Sequence, residues 1–153
     1  VARKQSLTVG VKIDGLDETL VRLRKMPKEA NAALKDYAGE LAGFLARKIE
    51  GAARSDRSAQ AKRVASTVKV RRDRLPVIEV GGSTRIASTK VPAYALLFGA
   101  EFGSNRFSQF NKRHQGKKGS WFFGTVDDQA QEISEAWTEA ADEVVRRFSG
   151  GGL

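Results

Sequence analysis

Aromatic side chains are unevenly placed in this chain, and their placement limits the available folds more than any other feature. Of twelve aromatic residues, eight lie between Tyr94 and Phe123. They form a first cluster of Tyr94, Phe98 and Phe102, a middle pair of Phe107 and Phe110, and a second cluster of Trp121, Phe122 and Phe123. A ninth, Trp137, lies on the expected helix that follows at once. Each ring carries roughly 150–250 Å² of surface to bury, so a core must form around this stretch. Between the two clusters lie Arg106, Lys112, Arg113, His114, Lys117 and Lys118, and no acid stands between Glu101 and Asp127. The connection from Ser104 to Ser120 is 17 residues long, a length that is usually functional or disordered inside a domain. Apolar anchors on both sides of a cationic loop point to a loop used on a partner.

At 153 residues the chain is expected to form one domain over 1–153, with enough surface to bury without staples. It has no cysteine, so no disulfide framework or thiolate chemistry is available. No apolar run approaches the roughly 18 residues of a membrane span, and no signal-peptide core opens the chain. The expectation is a soluble protein made inside the cell, with no membrane partner. A net charge of +9 and a pI near 10.1 incline it toward nucleic acid or an acidic protein surface, unless the charge serves solubility alone. The charge is segregated. Arg47 to Arg74 holds ten Lys or Arg against three acids, whereas Asp127 to Arg147 holds seven acids against two Arg. Opposite ends of this kind suit head-to-tail contact between identical subunits, and intramolecular pairing would give the same pattern.

In chain order, residues 1–5 read as a basic arm. Leu7, Val9, Val11 and Ile13 alternate with polar or small residues, as in a half-buried strand. Asp17 is an N-cap candidate for a short helix to about Lys25, and Pro27 suits the start of the next. In that long helix Ala30, Leu34, Tyr37, Leu41, Phe44, Leu45 and Ile49 recur at three- and four-residue steps. Residues 59–65 are open between a further helical turn and a loop. Thr67–Arg71 and Val77–Val80 form a predicted hairpin around Asp73–Pro76. Residues 84–92 read as loop or a short strand near Ile86. Tyr94–Phe102 reads as two helical turns stopped by Gly103. Thr125 with Asp128 fits the start of a last helix whose apolar stripe is Val126, Ala130, Ile133, Trp137, Ala141, Val144 and Phe148. Residues 149–153 read as a flexible glycine tail. The expected fold is α+β: a small antiparallel sheet packed against the long N-terminal helix and the C-terminal amphipathic helix, with a long loop at about 103–120.

Enzymatic chemistry finds little support. His114, the only histidine, has no acid or cysteine within ten residues, while a metal needs three or four ligands and a base needs an orienting partner. There is no Gly-x-Ser-x-Gly elbow, Walker loop or dinucleotide fingerprint. Asp127 and Asp128 point about 100° apart on a helix and suit its dipole better than paired catalysis. The expectation is no enzyme and no catalytic, metal or cofactor site. Nucleic-acid binding is open: Arg71, Arg72 and Arg74 at the hairpin, with Arg106, Lys112, Arg113, Lys117 and Lys118 in the loop, suit phosphates or an acidic partner. Phe107 and Phe110 either stack on bases or pack locally to staple the loop. Assembly is the third class. Trp121, Phe122 and Phe123 are hard to cover with one helix, so part of this surface is expected to meet another subunit, together with Tyr94, Phe98, Phe102, Phe107 and Phe110.

Val11-Lys12-Ile13-Asp14-Gly15-Leu16-Asp17 opening into a helix resembles the start of the tail-completion (gene-product-ten-like) proteins of long-tailed siphophages. That family continues with a long helix, a β-hairpin and a Tyr-Ala-x-x-x-Glu-Phe-Gly motif. Here Tyr94-Ala95-Leu96-Leu97-Phe98-Gly99-Ala100-Glu101-Phe102-Gly103 resembles it with two extra residues. A variable loop, an aromatic pair and a terminal amphipathic helix follow in the family; Trp121-Phe122-Phe123 and residues 126–148 take those places. The family's Thr-Gly-x-Leu stretch is replaced near Ser58-Ala59-Gln60-Ala61, and its proline after the aromatic pair by Gly124-Thr125. The resemblance spans residues 7–148. It implies a virion structural protein of the neck, or head–tail connector, where the DNA-filled capsid joins the tail. It implies copies arranged as a ring, a hexamer or dodecamer, without a catalytic site. The partners it implies are further copies, adjoining neck proteins and the tail tube or terminator, with packaged DNA passing through the lumen. An all-attractive lumen would retard DNA, which favours a protein partner for the loop. The alternative is a sequence-independent nucleic-acid-binding protein using the basic hairpin and loop.

Overall fold

Alanine-rich sequence with apolar residues every three or four positions produces the longest element. The computed structural model describes residues 6–9, 21, 24–72, 76–86, 91–111 and 121–149. Within it α1 runs over Lys28–Ser55, 28 residues and about 42 Å of axis. Pro27 stands just before it, its carbonyl accepting the N–H groups of Ala30 and Asn31. The stretch 59–65, ambiguous in sequence, is helical: α2 spans Ala59–Ala65. The Ser58 hydroxyl accepts the Ala61 N–H at 3.3 Å, and the Asp56 carboxylate accepts the Ser58 N–H at 2.8 Å. A local cap of this kind explains a helix too short to form by periodicity alone.

The sheet is antiparallel and three-stranded, in the order β1, β3, β2, where β1 is Ser6–Val9, β2 Lys69–Arg72 and β3 Pro76–Gly81. The hairpin register sets Lys69 opposite Glu79 and Arg72 opposite Pro76. On the other edge of β3, Leu7 lies opposite Val80. The Thr67 hydroxyl joins α2 to the sheet, donating to the Val64 carbonyl at 2.6 Å and accepting the Gly81 N–H at 2.9 Å. Residues 84–92 contribute a bridge between Arg85 and Pro92. The carbonyls of Thr84 and Gly82 then accept the first N–H groups of α3, those of Ala93 and Tyr94. Helix α3 spans Ala93–Phe102, and α4 spans Phe123–Ser149. The architecture is α+β, as the sequence leads one to expect.

Helices α1 and α4 pack antiparallel and share two hydrophobic clusters. In one, the second half of α1 (Leu45, Ile49, Ala53) meets α2, Ile78 and Val80 of β3, α3, Trp121, Phe122 and Ile133. In the other, Ala30 and Leu34 at the start of α1 meet Trp137, Ala141 and Val144 late in α4. The expected stripe of α4 needs one adjustment: Ala130 is exposed and Ala140, beside Ala141 and one turn from Trp137, is buried. Ser149 ends α4 rather than opening a tail. The arm 1–5, residues 10–20 of the expected first strand and helix, and the glycines from Gly150 onward lie outside the described residues. Among the described residues, no helix is long and apolar enough to cross a membrane.

Candidate functional site

From Ala93 to Gly103 the sequence holds one charged residue, Glu101, in an otherwise apolar helix. A carboxylate there is driven into the core with its neighbours and must find donors. Glu101 is 1% exposed. One oxygen, Oε2, accepts the backbone N–H groups of Trp121 at 3.1 Å and Phe122 at 2.9 Å. The other, Oε1, accepts that of Phe123 at 2.8 Å. These are the orphan donors at the start of α4, where the helix dipole also favours a negative charge. The Trp121 indole N–H donates to the Ala100 carbonyl at 3.2 Å, so α3 and the start of α4 are joined by four hydrogen bonds. This corrects the expected cap. Helix α4 begins at Phe123, and Thr125, inside its first turn, donates its hydroxyl to the Trp121 carbonyl at 2.6 Å. A carboxylate twenty residues upstream supplies what Thr125 and Asp128 were expected to supply.

The aromatic residues form a ladder across this junction. Phe98 and Phe102 stack with centroids 6.4 Å apart, Phe102 meets Phe123 at 5.7 Å, Phe123 meets Phe122 at 5.1 Å, and Phe122 meets Trp121 at 5.7 Å. Trp121 and Phe122 are 2% and 0% exposed, so the chain itself covers them and they present no surface to another subunit. The expectation that these two contact a partner is corrected on that ground: α1, α3 and β3 together cover what one helix alone would not. Tyr94, Phe102, Phe110 and Phe123 are half-buried, while Phe98 and Phe107 are more than half exposed.

The start of the long loop is folded against its own subunit. Gly103, at φ 72° and ψ 178°, ends α3 in a conformation that only glycine adopts without strain. The Ser104 N–H then donates to the Asn111 carbonyl at 2.8 Å, and the Phe110 N–H to the Phe107 carbonyl. The Phe110 ring lies on α3 at Gly99, where a Cβ would stand 2.6 Å from ring carbons. Phe110 is thus a local staple, one of the two roles open to it from sequence. Phe107 points outward with the Arg106 guanidinium 5.4 Å from its ring centroid.

The cationic candidates divide. Lys69 and Arg71 flank Glu79 across the hairpin, at 3.6 and 3.9 Å from its Oε2, so Arg71 shares an internal counter-ion. Arg72 lies in β2 opposite Pro76. Arg74, Lys112, Arg113, Lys117 and Lys118, together with His114, lie outside the described residues. Neither Glu101, present in sequence only as part of the Glu-Phe-Gly element, nor Glu79 is among the candidate site residues expected from sequence. The first had a visible signal, a lone acid in an apolar helix; the second needed the strand register. Comparison with family models, curated proteins and solved structures finds no match to this chain.

Proposed function

We propose that this chain is a structural virion protein of a tailed bacteriophage, one of the copies in the neck or tail-completion ring that joins the filled capsid to the tail. The observation that carries this reading is the role of Glu101. In the family that the sequence resembles, a Glu-Phe-Gly element precedes a variable loop, an aromatic pair and a terminal helix. Here the glutamate of that element fastens the aromatic pair and caps the terminal helix, while Gly103 releases the loop between them. A motif of this kind closes a loop at its base and leaves its sequence free to suit a partner. Exposed Phe98 and Phe107, with Arg106 over the latter, lie at that base, which supports an assembly role for this end of the molecule. The chain has no catalytic work in this reading, and its location is the virion neck. The nucleic-acid alternative is weakened by Glu79, which offsets part of the hairpin's positive charge.

Complementation tests the proposal. Replacing Lys112, Arg113, Lys117 and Lys118 by Ser, in a phage lacking this protein, is expected to yield a folded protein, filled heads and separate tails. Normal infectious particles from that variant, or salt-sensitive DNA binding as the only lost property, would refute it.

A further inference from the structure

Where α1 and α4 cross between the two hydrophobic clusters, they leave a groove. Its floor is Tyr37, Leu41 and Phe44 from α1, facing Ile133, Ala136 and Ala140 from α4. On the α4 side two of these residues are alanines, whose methyl groups fill less space than the Tyr37 and Phe44 rings on the α1 side. The hollow measures about 490 Å³ and is an open groove, not an enclosed cavity. Its rim is acidic, with Glu40, Glu132, Glu139 and Glu143. Glu143 pairs with Arg146 at 2.8 Å; among the described residues the other three form no ion pair. Tyr37 is 40% exposed despite standing on the apolar line of α1. At one end the Lys48 ammonium lies 5.3 Å from the Phe44 ring centroid, so an aromatic ring of this floor already receives a cation.

An apolar floor under a carboxylate rim selects a segment with both aromatic and cationic side chains. This chain carries one, from Asn105 to Lys118: Arg106 and Phe107 at its start, then Lys112, Arg113, Lys117 and Lys118. We propose that the α1–α4 groove of one copy receives the 105–118 segment of a second copy, so that subunits join head to tail. The segment's own groove is poorly placed for it. Phe110 and the Ser104–Asn111 hydrogen bond hold its start against the end of α3, which Glu101 fastens to the start of α4. Glu132 and Glu143 lie nine and twenty residues beyond Phe123, about 14 and 30 Å along the axis. The described start of the donor, up to Asn111, therefore lies at the end of α4 that begins at Phe123, and the acceptor begins about 14 Å further along. A neighbour shifted along that axis brings them together, a heterologous contact that closes into a ring or extends as a filament. The inference deepens the ring assignment above and takes from it only that copies touch.

Charge exchange tests it in the full chain. One variant carries Glu132→Lys and Glu139→Lys; the other carries Arg106→Glu, Lys112→Glu and Arg113→Glu. Circular dichroism checks that each folds, and sedimentation velocity at low and high salt reads self-association. The wild type is expected to associate at low salt and to weaken with added salt, and each variant alone to lose roughly tenfold or more in affinity. Mixing the two is expected to restore association, since both junctions in the mixture have opposite charges. A wild type that stays monomeric at low salt would overturn the proposal, including the case in which each segment occupies its own groove. So would variants that associate as tightly as the wild type, or a mixture that recovers nothing. Phage complementation is read separately: joining that fails in loop variants but tolerates groove variants would sink this inference and leave the neck assignment standing.

Discussion

Removing the Glu101 carboxylate is the sharpest perturbation open to this fold. In Glu101→Ala, the N–H groups of Trp121 and Phe122 lose their acceptor inside the core, and that of Phe123 loses its acceptor at the edge. A buried donor left without a partner costs about 1–3 kcal/mol. Two buried donors and one half-buried donor would then sum to more than the loss expected, because the variant also escapes the desolvation of a buried carboxylate. The net expectation is a loss of about 3–5 kcal/mol, the range seen when one partner of a buried charged contact is removed. Glu101→Gln keeps the shape and one acceptor but points an amide N–H₂ toward a backbone donor, so its loss is about 2–3 kcal/mol. Urea unfolding measures both. With a slope of about 2 kcal/mol per molar, the midpoint of Glu101→Ala falls by about 1.5–2.5 M. Amide exchange gives a local readout, since the Trp121, Phe122 and Phe123 amides should lose protection before those of α1. A midpoint for Glu101→Ala within about 0.5 M of wild type would refute the cap, as would unchanged protection at the three amides.

Other expectations follow from single contacts. Gly103→Ala places a Cβ on a backbone region reserved for glycine and is expected to cost about 1–3 kcal/mol in the same unfolding assay. Gly99→Ala drives a methyl into the Phe110 ring; because that ring is half-buried it swings outward, and proteolysis near 104–111 should quicken while global stability falls by about 1 kcal/mol. Trp137→Ala, which empties the second cluster at a residue 6% exposed, is expected to cost about 3–5 kcal/mol. Glu79→Ala breaks only partly exposed ion pairs; a change in unfolding beyond about 1 kcal/mol would contradict that view.

Periodicity carried most of the fold class. The steps of three and four in α1 and α4, and the alternation around β1, β2 and β3, depend on side chains that a backbone of fixed geometry must place on one face. Gly103 was legible as a stop for the same kind of reason, since few other residues tolerate its backbone angles. Helix α2 was not legible: seven residues are too few for a clear period, and its stability comes from Ser58, Thr67 and the surrounding core.

The candidate site was legible in its composition and misread in its arrangement. Aromatic residues near one another in sequence announced a core, but nothing local distinguished Trp121 and Phe122, which the chain buries itself, from Phe98 and Phe107, which it leaves exposed. Burial is a property of the elements that arrive from elsewhere, here α1 and β3. The start of α4 was misjudged for the same reason, because its cap comes from α3, and no window around Thr125 contains it. The groove between α1 and α4 is lined by Tyr37 and Phe44 and by Ala136 and Ala140 from a helix some ninety residues away. Side-chain pattern along one chain is a local quantity and specifies the elements; contacts between distant segments are set by how those elements pack, and here packing placed both the cap and the groove.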